Sequence, residues 1–319
     1  MPFDYSKKYL HPAWPCNYST QYARYFCDSP SNIHEPVWQS PNGTWQASSF
    51  LHNHRGRNFQ EKSMRAHIIS DLHFDYKENW MDFWTNLDTV SAVPYLIIAG
   101  DLCPLGTPKN RARAYDALLN FCTRYENVVY IPGNHEFYQT SISEGIRLLN
   151  QWGKEIPNLH VLGLLFAGCG VSYKRIDGQG FTGGTMWFPE NDVAPWNQFP
   201  DFALIKNFKE EVYRANKQFI NSCKNLMVDE VIVTHHLPSP GCIAEEFKNN
   251  EFNPFFLCDM EAVIKERQPK LWIHGHSHYP SDVKIGNTRI YANPYGYPNE
   301  RSGPRPPNPN FWDRIEITA

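Results

Sequence analysis

From residue 66 onward, apolar runs with the length of buried strands alternate with segments of helical periodicity. Residues 66–70, 95–99 and 128–131 are short and almost continuously apolar, which is the pattern of strands covered on both faces of a sheet. Between them, residues 80–90 and 111–125 repeat apolar positions at helical spacing. This alternation predicts parallel strands joined by right-handed helical crossovers.

The same alternation continues along the rest of the chain, with one irregular stretch. Further helices are predicted at residues 141–152, 203–223 and 259–265. Further strands are predicted at residues 159–172 (two strands around Gly163), 231–234, 271–274 and 313–318. The glycine- and aromatic-rich residues 180–196 are predicted to form a loop, and Gly286-Asn287 is predicted to turn a hairpin.

Residues 1–63 differ from this pattern, and we expect a loop-rich or disordered extension there. They are rich in Pro, Asn, Ser, Tyr and Trp and show neither strand nor helical periodicity. Their histidines and cysteines could in principle hold zinc, but the spacing matches no established pattern: His11, Cys16, Cys27, His34, His52 and His54. Met64, just before the first strand, is a candidate alternative start.

Composition indicates an ordinary globular protein, with 41% apolar and 20% charged residues among 319. A net charge of -3 does not favour binding to nucleic acid or to a membrane surface. No segment is long and apolar enough to be a transmembrane helix, and no secretory signal is expected. The eight irregularly spaced cysteines favour free thiols in a reducing cytoplasm, with Cys16 and Cys27 as the pair to examine. Oligomeric state cannot be inferred.

Side chains that bind metals or transfer protons follow five of the predicted strands. They are Asp71 and His73, Asp101, Asn134 and His135, His235 and His236, and the series His274, His276 and His278. In an extended chain, residues i and i+2 point to the same side, so Asp71 and His73 could bind one object. Taken singly, most of these residues have an ordinary explanation as turn or capping residues. Three histidines at alternating positions within five residues have no such ordinary explanation.

Together the five stretches favour a metal site. Mixed carboxylate, amide and imidazole donors suit divalent Mn, Fe, Zn or Ni, and the thiolates of a structural zinc site are missing from the set. About seven donors are too many for one tetrahedral ion. Two ions that share a bridging carboxylate would use them all.

The stretches SDLHFD, GDLCP, PGNHE, VTHHLP and HGHSH resemble the five ordered motifs of the calcineurin-like metallophosphoesterases. The resemblance covers about residues 66–319, so residues 64–319 would form the catalytic domain. It implies an α/β fold, a four-layer sandwich of two mixed β-sheets packed face to face and flanked by helices. It also implies a metal-dependent phosphoester hydrolase with a metal-bridging hydroxide as nucleophile.

The resemblance assigns the residues of the site. One metal would be held by Asp71, His73, Asp101 and His278. The other would be held by Asp101, Asn134, His235 and His276, with Asp101 bridging. His135 would be the catalytic histidine that binds no metal. His236, His274 and Glu136 are expected to support their neighbours without contacting the metals.

The substrate is predicted less directly. Protein serine/threonine phosphatases of this superfamily continue the GD motif with Asp-Arg-Gly, whereas this chain continues with Leu102-Cys103-Pro104, which argues against a protein phosphatase. We expect a phosphodiesterase on small or nucleotide-like substrates. The alternatives are a phosphomonoesterase or nucleotidase, then a nuclease, then a non-catalytic scaffold. Candidate substrate contacts are Tyr138, Trp187, Phe188, Arg301 and Arg305.

Overall fold

The structure is a computed structural model that describes residues 64–87, 91–163, 172–191, 194–301, 311 and 315–317. The predicted extension at residues 1–63 and the Cys16–Cys27 pair lie outside the described residues. The described cysteines are free thiols, as expected: Cys103, Cys122, Cys223, Cys242 and Cys258.

The first sheet contains the strands of the amino-terminal half and one strand from the end of the chain. Four parallel strands lie side by side: β1 (Met64–Ile69), β2 (Tyr95–Ala99), β3 (Asn127–Ile131) and β4 (Leu159–Val161). Strand β11 (Ile315–Ile317) pairs antiparallel with β1 at the edge. The parallel strands and the closing strand confirm the prediction from apolar periodicity.

The second sheet has six strands in the order β5-β6-β7-β8-β10-β9. They are β5 (Ser172–Ile176), β6 (Gln179–Gly184), β7 (Val231–Thr234), β8 (Leu271–His274), β9 (Ser281–Ile285) and β10 (Thr288–Ala292). The inner strands β6, β7, β8 and β10 run parallel, and the edge strands β5 and β9 pair antiparallel. The predicted hairpin at Gly286-Asn287 is confirmed as the connection of β9 to β10.

The two sheets pack face to face because their strands are apolar on both sides. Along β2, Ile97 and Ala99 lie in the cluster between the sheets, whereas Leu96 and Ile98 pack against helices. The cluster between the sheets also includes residues of β1, β3, β6, β7 and β8: Ala66, Ile68, Val129, Ile131, Phe181, Val231, Val233, Leu271 and Ile273. Burial of this apolar area is the main contribution to the stability of the sandwich.

Helices cover both outer faces, which makes the predicted four layers. Helices α1 (Lys77–Leu87), α2 (Pro108–Arg124) and α3 (Ile142–Glu155) lie over the first sheet. Helices α5 (Phe208–Ser222) and α6 (Glu261–Arg267) contribute to the cluster over the second sheet. None of the helices in the described part of the chain is long and apolar enough to cross a membrane.

Two local predictions are wrong. The single helix expected at 203–223 is divided into α4 (Pro200–Leu204) and α5, because Asn207 between them adopts a left-handed backbone with φ of 56°. The loop expected at 180–196 begins as strand β6, where Phe181 is fully buried between the sheets. The many glycines of β6 hid this strand in the sequence.

Candidate metal centre

The residues predicted to bind metal meet at one end of the sandwich. Asp71 and His73 follow β1, Asp101 follows β2, and Asn134 follows β3 after a short turn. From the second sheet, His235 follows β7, and His276 and His278 follow β8. All these strands are parallel members of their sheets, so their carboxyl ends lie at the edge where open α/β sheets bind ligands.

The backbone at this edge is strained. Five of the converging residues adopt left-handed conformations: Asp71 (φ 56°), His73 (φ 44°), Asp101 (φ 56°), His276 (φ 72°) and His278 (φ 54°). Non-glycine residues seldom adopt this conformation, and where they do the strain is often part of a functional site. The extended geometry expected for Asp71 and His73 is therefore wrong, although both side chains reach the same site.

The first group of donors consists of Asp71, His73, Asp101 and His278, whose ligand atoms all lie within 4.8 Å of one another. The Nε2 atoms of His73 and His278 are 2.9 Å apart. Oδ1 of Asp71 lies 3.5 Å from Nε2 of His278, and Oδ2 of Asp101 lies 3.7 Å from Nε2 of His73. This arrangement could hold one ion.

The second group consists of Asp101, His235 and His276, again within 4.8 Å. Oδ2 of Asp101 lies 3.3 Å from Nε2 of His235. The same nitrogen lies 3.0 Å from Oδ1 of Asn134, which brings the amide oxygen to this group. Asp101 belongs to both groups, as the bridging prediction requires.

The chemistry of the donors fits divalent cations. Both carboxylates are at most 1% exposed, and Nε2 of His276 and Nδ1 of His73 are buried without a hydrogen-bond partner among the described residues. Burial raises the pKa of Asp71. Burial acts to lower the pKa of His235, but Asp101, Asp71 and the carbonyl oxygen of Ala99 together raise it to about 10. Buried charges and unpaired polar atoms are costly unless a counter-ion satisfies them. Cations bound here would do so.

Two glycines allow these loops to approach closely. Gly100 has φ of +90°, and a Cβ atom on it would lie 2.7 Å from the backbone nitrogen of Gly133. A Cβ atom on Gly133 would lie 2.8 Å from Cε1 of His235. Because such contacts are too short for real atoms, the ligand loops of the two sheets can meet here only where these residues lack side chains.

The three residues beside the candidate ligands, Glu136, His236 and His274, each have hydrogen-bond partners of their own. The buried Glu136 carboxylate accepts hydrogen bonds from the backbone nitrogens of Leu102 (2.6 Å) and Gly133 (2.7 Å) and thus fixes the loops beside Asp101. His236 Nδ1 donates to the carbonyl oxygen of Thr185 at 3.0 Å. His274 lies 2.8 Å from the hydroxyl of Ser281.

Sequence reasoning missed two carboxylates that hold the candidate ligands. Asp201 in α4 is fully buried and accepts a hydrogen bond from Nδ2 of Asn134 at 2.9 Å. Glu300 in α7 (Pro298–Arg301) lies 2.7 Å from Nδ1 of His278. Both lie outside the five motifs.

His135 is placed differently from the candidate ligands. Its side chain is 17% exposed, and its Nε2 lies 3.9 Å from Oδ2 of Asp101. Burial lowers the pKa of His135 to about 4, with Asp101 partly opposing, so the ring is neutral near pH 7. The hydroxyl of Tyr297, which sequence reasoning also missed, is 3.2 Å from the same nitrogen.

A cavity of about 470 Å³ opens over the two groups. Tyr138 lines it, as expected for a substrate contact. The same expectation for Trp187 and Phe188 is wrong, because their side chains are 2% and 0% exposed within an aromatic cluster. The side chains of Arg301 and Arg305 lie outside the described part of the chain.

The family comparison agrees with this site. The model of the calcineurin-like phosphoesterase family matches residues 64–280, which is more than half of the chain. The chain therefore belongs to this family and is a metal-dependent phosphoric ester hydrolase. No curated protein matches the chain.

Several solved structures are similar to the chain, and one of them, at a TM-score above 0.5, shares its fold. A phosphopantetheinyl hydrolase from Mycobacterium tuberculosis is 17% identical, with a TM-score of 0.57, and the match covers 78% of this chain and 98% of that one. An archaeal phosphodiesterase is 13% identical over 80% of this chain and 100% of its own, with a TM-score of 0.35. A putative 5'-nucleotidase from Staphylococcus aureus is 14% identical over 72% of this chain and 48% of its own, with a TM-score of 0.36.

Proposed function

We propose that the protein is a dinuclear metal-dependent phosphodiesterase that acts on small or nucleotide-like esters. The observation that carries this proposal is the pair of donor groups that share Asp101 at the floor of the cavity. We also propose a cytoplasmic location, because the described cysteines are free thiols.

Each donor group would hold one divalent ion. Asp71, His73, Asp101 and His278 form the first set, and Asp101, Asn134, His235 and His276 form the second. The donors suit Mn, Fe, Zn or Ni. When bound, such ions supply an activated water and neutralise charge on the phosphoryl oxygens.

His135 would act on the ester itself as a catalytic residue. Its imidazole lines the cavity beside Asp101 and is neutral near pH 7, so an N–H can donate to an oxygen of the reacting phosphate. The ring packs on that of Tyr138 at a centroid distance of 4.1 Å, and its Nε2 lies 3.2 Å from the hydroxyl of Tyr297. These contacts restrict the ring to one orientation. A hydrogen-bond donor held in this way contributes roughly 10²–10⁴ in rate.

The test compares a chromogenic phosphodiester, bis(4-nitrophenyl) phosphate, with the matched monoester, 4-nitrophenyl phosphate. The protein is stripped of metal and then reconstituted with manganese. We expect diester hydrolysis that depends on added metal. Activity on the monoester alone would replace the proposal with a phosphomonoesterase or nucleotidase. No turnover of either ester by protein with two metals bound would favour a scaffold.

A further inference from the structure

Part of the cavity lining consists of apolar side chains, four phenylalanine rings and one isoleucine, rather than charged groups. We call it the aromatic wall, and it comprises Phe199, Ile243, Phe247, Phe252 and Phe256. Most of these residues belong to the stretch between β7 and α6, which lies outside the five motifs except at its start. The wall is therefore a feature of this chain that the motifs do not account for.

The aromatic wall begins at the candidate metal centre. The ring of Phe256 lies against that of His276, with centroids 4.4 Å apart and planes inclined by 31°. A phosphorus atom placed at the donor groups would thus have an aromatic surface within reach of one of its substituents. The cavity volume of about 470 Å³ is within the range of pockets that enclose small organic ligands.

Hydrogen bonds hold the wall in shape. Nδ2 of Asn253 donates to the carbonyl oxygen of Phe247 at 2.8 Å, and Oδ1 of Asn250 accepts from the backbone nitrogen of Phe252 at 2.8 Å. The ring of Phe199, which comes from a different part of the chain, lies 5.7 Å from that of Phe256. Because the rings are already ordered, a ligand that packs on them loses less conformational entropy on binding.

The cavity offers little to a second anionic group. Among the described residues that line it, none is a lysine or an arginine, and the acidic ones are Asp101 and Glu300. Sites that recognise several phosphates or carboxylates usually supply such cations, often as a bidentate arginine. Among these described residues, a second negative group on the substrate would therefore find no lysine or arginine partner.

From these contacts we infer that the site selects phosphodiesters whose second substituent is uncharged and aromatic or apolar, with that substituent packed on the aromatic wall. This inference rests on the proposed function but concerns a different part of the ligand. It predicts that the site distinguishes between substrates by the substituent on phosphorus that does not leave. It also predicts weak binding of compounds that carry an additional negative charge on that group.

Binding tests the inference without relying on turnover. Methyl phenylphosphonate and methyl methylphosphonate carry one negative charge each and differ only in the phosphorus-bound substituent, a phenyl ring or a methyl group, which cannot leave. Isothermal titration calorimetry on the manganese-loaded protein should show about tenfold tighter binding of the phenyl compound, because burying a ring against aromatic side chains gives at least this factor. Equal affinities would overturn the inference. Absence of diester hydrolysis would instead overturn the proposed function and leave this ratio measurable.

Substitutions in the aromatic wall test whether its rings cause the preference for the phenyl compound. Phe256→Leu and Phe252→Ala should each reduce the phenyl-to-methyl affinity ratio to about threefold or less. Leu119→Ala, at an exposed apolar position on α2 that does not line the cavity, is the matched control and should leave the ratio unchanged. If the phenyl-to-methyl affinity ratio stayed near tenfold in both phenylalanine variants, the ring of the ligand would bind elsewhere and the inference would be contradicted.

A charged ring completes the test. Methyl (4-carboxyphenyl)phosphonate, in which the charged ring is bonded to phosphorus, should bind no more tightly than the methyl compound. Gln198→Lys adds a cation at an exposed position on the rim and should raise the affinity for the carboxylated compound about threefold at low ionic strength. Wild-type protein that binds the carboxylated and plain rings equally would refute selection for an uncharged substituent.

Discussion

The carboxylate of Asp201 accepts a hydrogen bond from the amide nitrogen of Asn134 at 2.9 Å. Because the Nδ2 end of the amide is fixed in this way, its Oδ1 end faces His235, whose Nε2 lies 3.0 Å away. The Tyr138 hydroxyl donates to the same oxygen of Asp201 at 2.8 Å. A short helix outside the motifs therefore sets the orientation of one candidate metal ligand.

Asp201→Ala should weaken metal binding at the group formed by Asp101, Asn134, His235 and His276. We expect a loss of about tenfold or more in affinity, because outer carboxylates that orient a ligand typically contribute this much. Competition with a chromogenic chelator measures it. Asp201→Asn keeps an acceptor oxygen for Asn134 and should lose less. The control, Asp229→Ala, removes an exposed carboxylate. Unchanged metal affinity in folded Asp201→Ala would contradict the orienting role.

Asp101→Asn should release both metals, because this carboxylate belongs to both donor groups. His276→Ala removes a donor from one group only, so it should release one metal and leave the other. Metal content per chain, measured by plasma mass spectrometry after gel filtration, separates the two outcomes. Two tightly retained ions in Asp101→Asn would disprove bridging.

His135→Ala should retain both metals and lose turnover by about 10²–10⁴, the usual contribution of a positioned proton donor. The physical reason is that His135 faces the cavity and belongs to neither donor group. His135→Gln keeps an N–H donor and should retain more activity than the alanine variant. Loss of a metal from either variant would show that this histidine is a ligand.

Stability at acid pH should depend on His160, a residue of β4 away from the metal centre. Burial, assisted by Lys174, lowers its pKa to about 4, whereas an unfolded histidine titrates near 6.5. The unfolded chain therefore binds a proton first as the pH falls. The contribution of neutral His160 to the free energy of unfolding is therefore complete above about pH 6.5 and is lost as the pH falls from about 6.5 to about 4.

His160→Gln should remove this pH dependence, because glutamine does not titrate and can still donate to Oδ1 of Asn127, which now lies 2.8 Å from His160 Nε2. The difference in unfolding free energy between pH 7.5 and pH 4.5 should be smaller in the variant by about 1–2 kcal/mol, after allowance for solvent screening. Urea denaturation of both metal-free proteins provides the comparison. Equal pH slopes would show that His160 titrates normally in the folded protein.

Apolar periodicity was enough to predict the parallel strands and the helices of the first sheet. It succeeded because strands such as β2 are covered on both faces and leave a continuous apolar run. It failed at β6, whose glycines resemble a loop, since the burial of Phe181 depends on a sheet partner distant in sequence. Likewise, nothing in the local sequence around Asn207 predicted that this residue would separate α4 from α5.

In the candidate site, too, some residues could be predicted from local sequence and others could not. Asp71, Asp101 and His235 follow strands and could be found from that position. Asp201 and Tyr297 could not, because each reaches the site from a segment whose sequence has no pattern related to metals. Their contacts with Asn134 and His135 exist only once the chain has folded.

The candidate donors come from both sheets: β1, β2 and β3 of the first supply Asp71, His73, Asp101 and Asn134, and β7 and β8 of the second supply His235, His276 and His278. An ion held by both sides would act as a cross-link between the layers, comparable to a disulfide that forms and dissolves with metal supply. Loading would then slow unfolding and proteolysis as well as enable hydrolysis. In a cell, the lifetime of this enzyme would follow the availability of its metal.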